Sequence, residues 1–223
     1  MNKIFKLLTL CSFAILIASC NSNGQTGKQQ RPDNSVKLVA PKGKAIAAFA
    51  EGCFWCSEHI FESVAGVDSA VSGYAGGTVP NPTYELVNTE TTGHAESVLV
   101  YYDPKVVSYQ DLVNVFFASH DPTTLNRQGP DVGSSYRSIL FYQTPAEKEI
   151  AMDTIKDLTK ANRFEKPIVT ELKHLDAFYR AEEYHQNYIS DGKGRGNPYV
   201  TSVSIPRYEK FKRTYKGKLK PGA

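Results

Sequence analysis

Hydrophobic positions in this 223-residue chain fall in short runs, broken by Gly, Pro and Asn, whose spacing switches between strand-like and helix-like. Lys44 to Ala50 is a continuous apolar run and predicts a buried strand. Gly52 breaks it. Cys53 to Val64 then predicts a helix whose apolar face is Phe54, Ile60, Phe61 and Val64. Val67 to Tyr74 reads as a second strand ending at Gly76-Gly77, followed by a Pro/Asn/Thr loop. His94 to Tyr102 alternates and reads as a third strand, stopped by Asp103-Pro104. Ser108 with Asp111 three residues later has the form of a capping box. It opens a helix burying Leu112, Val113, Phe116 and Phe117. His120 to Ser135 is polar and reads as a loop, and Tyr136 to Tyr142 as a fourth strand. Thr144-Pro145 with Glu147 starts a third helix, with Ile150, Ile155 and Leu158 on its buried face. Ile168 to Leu172 is a fifth strand, and a short helix is expected around Ala181–Tyr188. Strand-helix-strand-strand-helix-strand is the split βαβ order. The fold class predicted is α+β: a ferredoxin-like two-layer sandwich with further C-terminal helices and loops.

The N-terminus follows a different pattern. Lys3 and Lys6 precede an apolar run, Leu7 to Ala18, that falls short of the about 20 residues a membrane-spanning helix needs. It fits the core of a signal peptide. The run ends Ile17-Ala18-Ser19-Cys20, small residues before a cysteine, as at the processing site of a bacterial lipoprotein whose Cys20 becomes lipidated. An ordinary signal peptide with an incidental cysteine is the alternative. Residues 20–43 are polar, with too few apolar side chains to offset their ordering entropy, and read as a flexible tether. Residues 44–210 suit one domain, expected to be a monomer. Residues 211–223 read as a basic tail.

Charge excludes some functions. Residues 1–19 hold two lysines and no acid, so their removal takes the formal charge from +3 to +1. That balance points to neither nucleic acid nor an acidic substrate. Cysteine usage points further. Cys11 lies in the signal segment and Cys20 at its end, which leaves Cys53 and Cys56 in the domain. Two cysteines three apart close too small a loop to staple a fold, so redox or metal chemistry is left. Zinc usually takes four ligands. His59 offers only a third, so no metal and no cofactor is expected.

Cys53 falls at the first turn of its predicted helix. Free N–H groups and the helix dipole there favour a thiolate nucleophile. Cys56, one turn on, is placed to resolve an oxidised Cys53. Phe54 and Trp55 between them suit a small apolar pocket, although aromatic pairs more often serve as core. A general periplasmic thiol-disulfide oxidoreductase is the competing enzyme. Thioredoxin-like motifs, however, carry Trp before the first cysteine rather than between the two. A metal-binding or adhesive surface lipoprotein is the third class.

Six motifs in order narrow the choice: Gly-Cys-Phe-Trp at 52–55, Gly-Tyr-Ala-Gly-Gly at 73–77, Pro-Thr-Tyr-Glu at 82–85, Thr-Gly-His-Ala-Glu at 92–96, Asp-Val-Gly-Ser-Ser-Tyr-Arg-Ser at 131–138, and Ala-Glu-Glu-Tyr-His-Gln-Asn-Tyr at 181–188. From about 45 to 190 the chain resembles the A-type peptide methionine-S-sulfoxide reductase family. The resemblance implies a nucleophile at Cys53 and a general acid at Glu96. It implies hydroxyls at Tyr84 and Tyr136 on the sulfoxide oxygen, and Phe54 and Trp55 around the S-methyl group. Asp131 would orient substrate, and Glu58, His94 and His185 would be supports. It further implies a Cys53 sulfenic acid, a Cys53–Cys56 disulfide, and recycling by thioredoxin or a periplasmic relative. Asn88 stands where some members have cysteine, and none follows Cys56, so recycling would rest on Cys56. With a lipid anchor, such an enzyme would work in the cell envelope outside the cytoplasm.

Overall fold

In the computed structural model, which describes residues 31–223, the strand β1 (Ala45–Glu51) lies inside a six-stranded sheet and is buried along almost its whole length. The elements follow in chain order: α1 (Phe54–Glu62), β2 (Val67–Ala75), a single turn α2 (Tyr84–Val87), β3 (Ala95–Tyr102), α3 (Tyr109–Ser119), the two-residue strands β4 (Arg127–Gln128) and β5 (Asp131–Val132), β6 (Ser138–Tyr142), α4 (Pro145–Lys160), β7 (Glu171–His174), β8 (Phe178–Arg180) and α5 (Ile205–Thr214). The sheet runs β7-β6-β1-β3-β2-β8. Its pairings are antiparallel except for β6 with β7. The result is a mixed α+β fold.

β1 is continuously apolar because both faces of the sheet are covered. Ala47 and Phe49 face the helices, where Phe49 stacks on Phe61 of α1 at 4.6 Å and lies 5.9 Å from Phe116 of α3. Ile46, Ala48 and Ala50 face a second cluster with Leu175 and Phe178. Gly73 of β2 permits β8 to close on it: a Cβ there would stand 2.3 Å from the Tyr179 carbonyl oxygen. The cap expectations hold. The Ser108 hydroxyl accepts the Asp111 N–H and the Asp111 carboxylate returns the bond, while Thr144 caps α4 with Pro145 in its first turn.

Four expectations need correction. The tether to residue 43 is too long: Val36, Leu38 and Ala40 pack on the second face, and the Val36 N–H donates to the Phe178 carbonyl at 2.8 Å. Residues 211–223 are not a frayed basic tail. Tyr208, Phe211 and Tyr215 share an apolar stripe among the lysines; Phe211 is fully buried, and Leu219 bridges Val64. The loop at 120–135 contains the β4–β5 hairpin, with Gly129-Pro130 as its turn. The helix expected at 181–188 shrinks to a 3-10 turn, Glu183–His185, because its side chains are drawn to separate partners on β2 and α1. The signal segment and Cys20 lie outside the described residues.

Candidate active site

Gly52 turns the chain from β1 into α1 at φ +92°, with Gln128 packed so close that a Cβ would meet it at 2.5 Å. Cys53 then occupies the N-cap of α1 with no capping bond from its own side chain. The cap is supplied from β3: the Phe54 N–H donates to the Glu96 carboxyl at 3.0 Å. The alternation of β3 therefore points Glu96 at the helix start rather than at solvent. A cavity of about 290 Å³ opens over this junction. Its walls bring together Cys53, Phe54, Trp55, Tyr84, Glu96, Asp131 and Tyr136, all expected from the sequence, and add Asn197 and Tyr199.

Each wall is held by identifiable bonds. The Trp55 indole N–H donates to His185 Nδ1 at 3.0 Å, and the ring stacks on Tyr188 at 3.9 Å. Burial lowers the His185 pKa, which keeps Nδ1 free to accept that bond. Glu182 accepts the Tyr84 N–H and the Tyr74 hydroxyl, each at 2.9 Å, and so anchors the turn that presents Tyr84. Glu90 accepts from Ser134 and Ser135 and fixes the 3-10 turn carrying Tyr136. The Tyr199 hydroxyl donates to Asp131. His94 and Glu58 are bonded to backbone groups, as supports are.

Electrostatics divide the ionisable groups. Burial raises the Glu96 carboxyl to about 8, with Asp131, Cys56 and Glu90 adding repulsion and the Phe54 N–H opposing. Glu96 is therefore protonated at neutral pH. Burial also pushes the Cys53 thiol up, and its hydrogen bond to Cys56 adds to the effect. Cys56 moves the other way, down to about 6: the bond from Cys53 favours its thiolate against burial, and Arg207 and Ser204 help. The expectation of a resting Cys53 thiolate is thus corrected. The helix terminus is a one-turn effect, weaker than burial. The negative charge of the reduced pair rests on Cys56, behind the cavity, with its Sγ 3.1 Å from Ser204 Oγ.

Residues 45–219 match the family model described as peptide methionine sulfoxide reductase. The chain belongs to that family. It is 46% identical to the peptide methionine sulfoxide reductase MsrA of Saccharolobus solfataricus over 78% of this chain and 97% of that relative. The corresponding protein of Deinococcus radiodurans is 48% identical over 86% of this chain and 91% of its own length. Among solved structures, Mxr1 of Saccharomyces cerevisiae in its reduced form superposes with a TM-score of 0.65 at 32% identity, covering 70% of this chain and 93% of the other. Methionine sulfoxide reductase A of Corynebacterium diphtheriae superposes with a TM-score of 0.63 at 32% identity, covering 76% of this chain and 86% of the other. The protein is accordingly an oxidoreductase that reduces methionine sulfoxide by thiol chemistry. Sequence reasoning missed five residues of this reductase site: Glu90, Glu182, Asn197, Tyr199 and Arg207. Glu182 stood inside a quoted motif with no role given. Asn197, Tyr199 and Arg207 lie beyond Asp191, where no periodic pattern marks them.

Proposed function

We propose that Cys53 is the nucleophile toward the S epimer of methionine sulfoxide, protein-bound and free, with Glu96 as the general acid. The observation that carries this is a protonated, buried carboxyl capping the very helix turn that bears the cysteine. As the Cys53 sulfur attacks the sulfoxide sulfur, its proton passes to the neighbouring Cys56 thiolate. Glu96 protonates the sulfoxide oxygen, and Tyr84 and Tyr136 donate hydrogen bonds to it. The methionine S–O bond breaks as the oxygen passes to the Cys53 sulfur, and the transient bond between the Cys53 and methionine sulfurs breaks in the same step. Methionine leaves, and Cys53 holds the oxygen as sulfenic acid. Phe54 and Trp55 hold the S-methyl group, whose burial is worth only about 0.8 kcal/mol, so their role is orientation and choice of epimer. Asp131 orients substrate. Cys56 condenses with the sulfenic acid to a disulfide, which thioredoxin or a periplasmic relative reduces.

We further read the central strand order β6-β1-β3-β2 as a ferredoxin-like split βαβ core, a reading supported by its antiparallel pairings. The chain acts as a monomer, tethered to a bacterial envelope membrane by lipid on Cys20 after removal of residues 1–19. Support for the anchor comes from the Lys3–Cys20 sequence. The cycle is tested with Cys56→Ser protein and the S sulfoxide. One methionine per enzyme should be released, and a sulfenic acid should be trappable by dimedone on Cys53. Adduct on any other residue, or multiple turnovers with thioredoxin, would contradict it.

A further inference from the structure

The C-terminal helix brings a cation to the cysteine pair that the proposed cycle does not use. Ser204, which ends the turn before α5, meets Cys56 at 3.1 Å. Arg207 follows three residues later and so projects from the same helical face. Its guanidinium is pinned by two hydrogen bonds and lies beside Gly52. Nε donates to the Ser119 carbonyl at 2.7 Å, and Nη2 donates to the Glu51 carboxylate at 2.7 Å. Nη1 lies 3.8 Å from where a Cβ on Gly52 would stand. Glu51 is itself fully buried and accepts the Ser119 hydroxyl at 2.6 Å. The end of β1 and the start of α5 thus clamp a positive charge against the segment that carries both cysteines.

We infer that Arg207 is a positioning residue for the resolving step: its fixed charge holds Cys56 as a thiolate aimed at the Cys53 sulfenic acid. This rests on the cycle proposed above. In that step the Cys56 sulfur attacks the Cys53 sulfur, an S–S bond forms and the S–O bond breaks. The Cys56 sulfur is oxidised and the Cys53 sulfur reduced, and hydroxide leaves with a proton as water. The groups facing Cys56 are Cys53, Ser204 and Tyr199, the carboxyls of Asp131, Glu96 and Glu51, and Arg207, the cation among them. Once Cys53 is oxidised its thiol no longer donates to Cys56, so Arg207 and Ser204 are the groups left to favour the Cys56 thiolate and return its proton to solvent.

The test is single-turnover closure of the disulfide, followed by fluorescence of Trp55, the chain's one tryptophan, in wild type and Arg207→Met across pH. Methionine release is measured in the same samples. A thiol with a higher pKa is less ionised but more nucleophilic, with a Brønsted slope of about 0.4–0.5. A one-unit rise in the Cys56 pKa therefore makes closure about threefold slower at roughly pH 5.5 and about threefold faster at roughly pH 8.5. The two profiles should cross, and Arg207→Lys should restore the wild-type profile. Damage to structure alone would slow closure at every pH. An unmoved profile, or uniform slowing, overturns the inference. Should Arg207→Met not fold, the wild-type profile decides: half-maximal closure clearly below the ordinary thiol value of about 8.5 supports the role, and a midpoint at that value overturns it. Absence of methionine would overturn the Cys53 cycle itself.

Discussion

Replacing Glu96 by glutamine should weaken catalysis while strengthening the fold. Burial raises the Glu96 carboxyl from 4.5 to about 8. Between those values the unfolded chain has released the proton and the folded chain has kept it. The folded state then binds more protons than the unfolded, so stability falls as pH rises through that window. At about pH 7 the loss relative to pH 4 is roughly 3 kcal/mol, at about 1.4 kcal/mol per unit. An amide does not titrate, and its oxygen can still accept the Phe54 N–H. Glu96→Gln should therefore melt roughly 6–12 °C above wild type at neutral pH, at about 2–4 °C per kcal/mol for a domain of this size. The difference should disappear near pH 4. Methionine release in the first turnover should meanwhile drop by about 100- to 10,000-fold, the usual worth of a positioned proton donor. Wild-type release should itself decline as pH rises through about 8. Thermal melts at several pH values and quenched single-turnover assays measure both effects. A variant that keeps the wild-type rate, or gains no stability at neutral pH, would refute the reasoning.

Other expectations are shorter. Tyr84→Phe and Tyr136→Phe should each slow methionine formation by roughly 10- to 100-fold, the worth of one hydrogen bond to developing charge, with little change in melting temperature, read by kcat and thermal melts. Phe211→Ala should destabilise the domain by about 3–5 kcal/mol in urea titrations, because Phe211 is a fully buried anchor for the C-terminal segment. A tail that carried no structure would lose nothing.

The contiguous part of the site is legible in the sequence. Cys53, Phe54 and Trp55 follow a strand-breaking glycine, and their chemistry declares itself locally. Tyr84, Glu96, Asp131 and Tyr136 come from three separate segments, at 82–85, 92–96 and 131–138. No local pattern distinguishes them, so only the ordered motifs pointed to them. The Cys53 ionisation went wrong because helix position is visible in sequence and burial is not. Val36, Leu38 and Ala40 alternate as strand residues do, yet the polar composition around them masks so short a pattern. Tyr208, Phe211 and Tyr215 are hidden in the same way, since the interleaved lysines put charge on the solvent side of an otherwise apolar stripe. Arg207 meets Glu51 across 156 residues of chain, a separation at which sequence spacing carries no information.

The most direct test is methionine release from separated S and R methionine sulfoxides by wild type and Cys53→Ser, with dithiothreitol as reductant. Wild type should convert the S epimer and leave the R epimer intact, and Cys53→Ser should convert neither. Release of methionine by Cys53→Ser at the wild-type rate, or conversion of the R epimer alone by wild type, would contradict the assignment of Cys53 as nucleophile in an S-specific site.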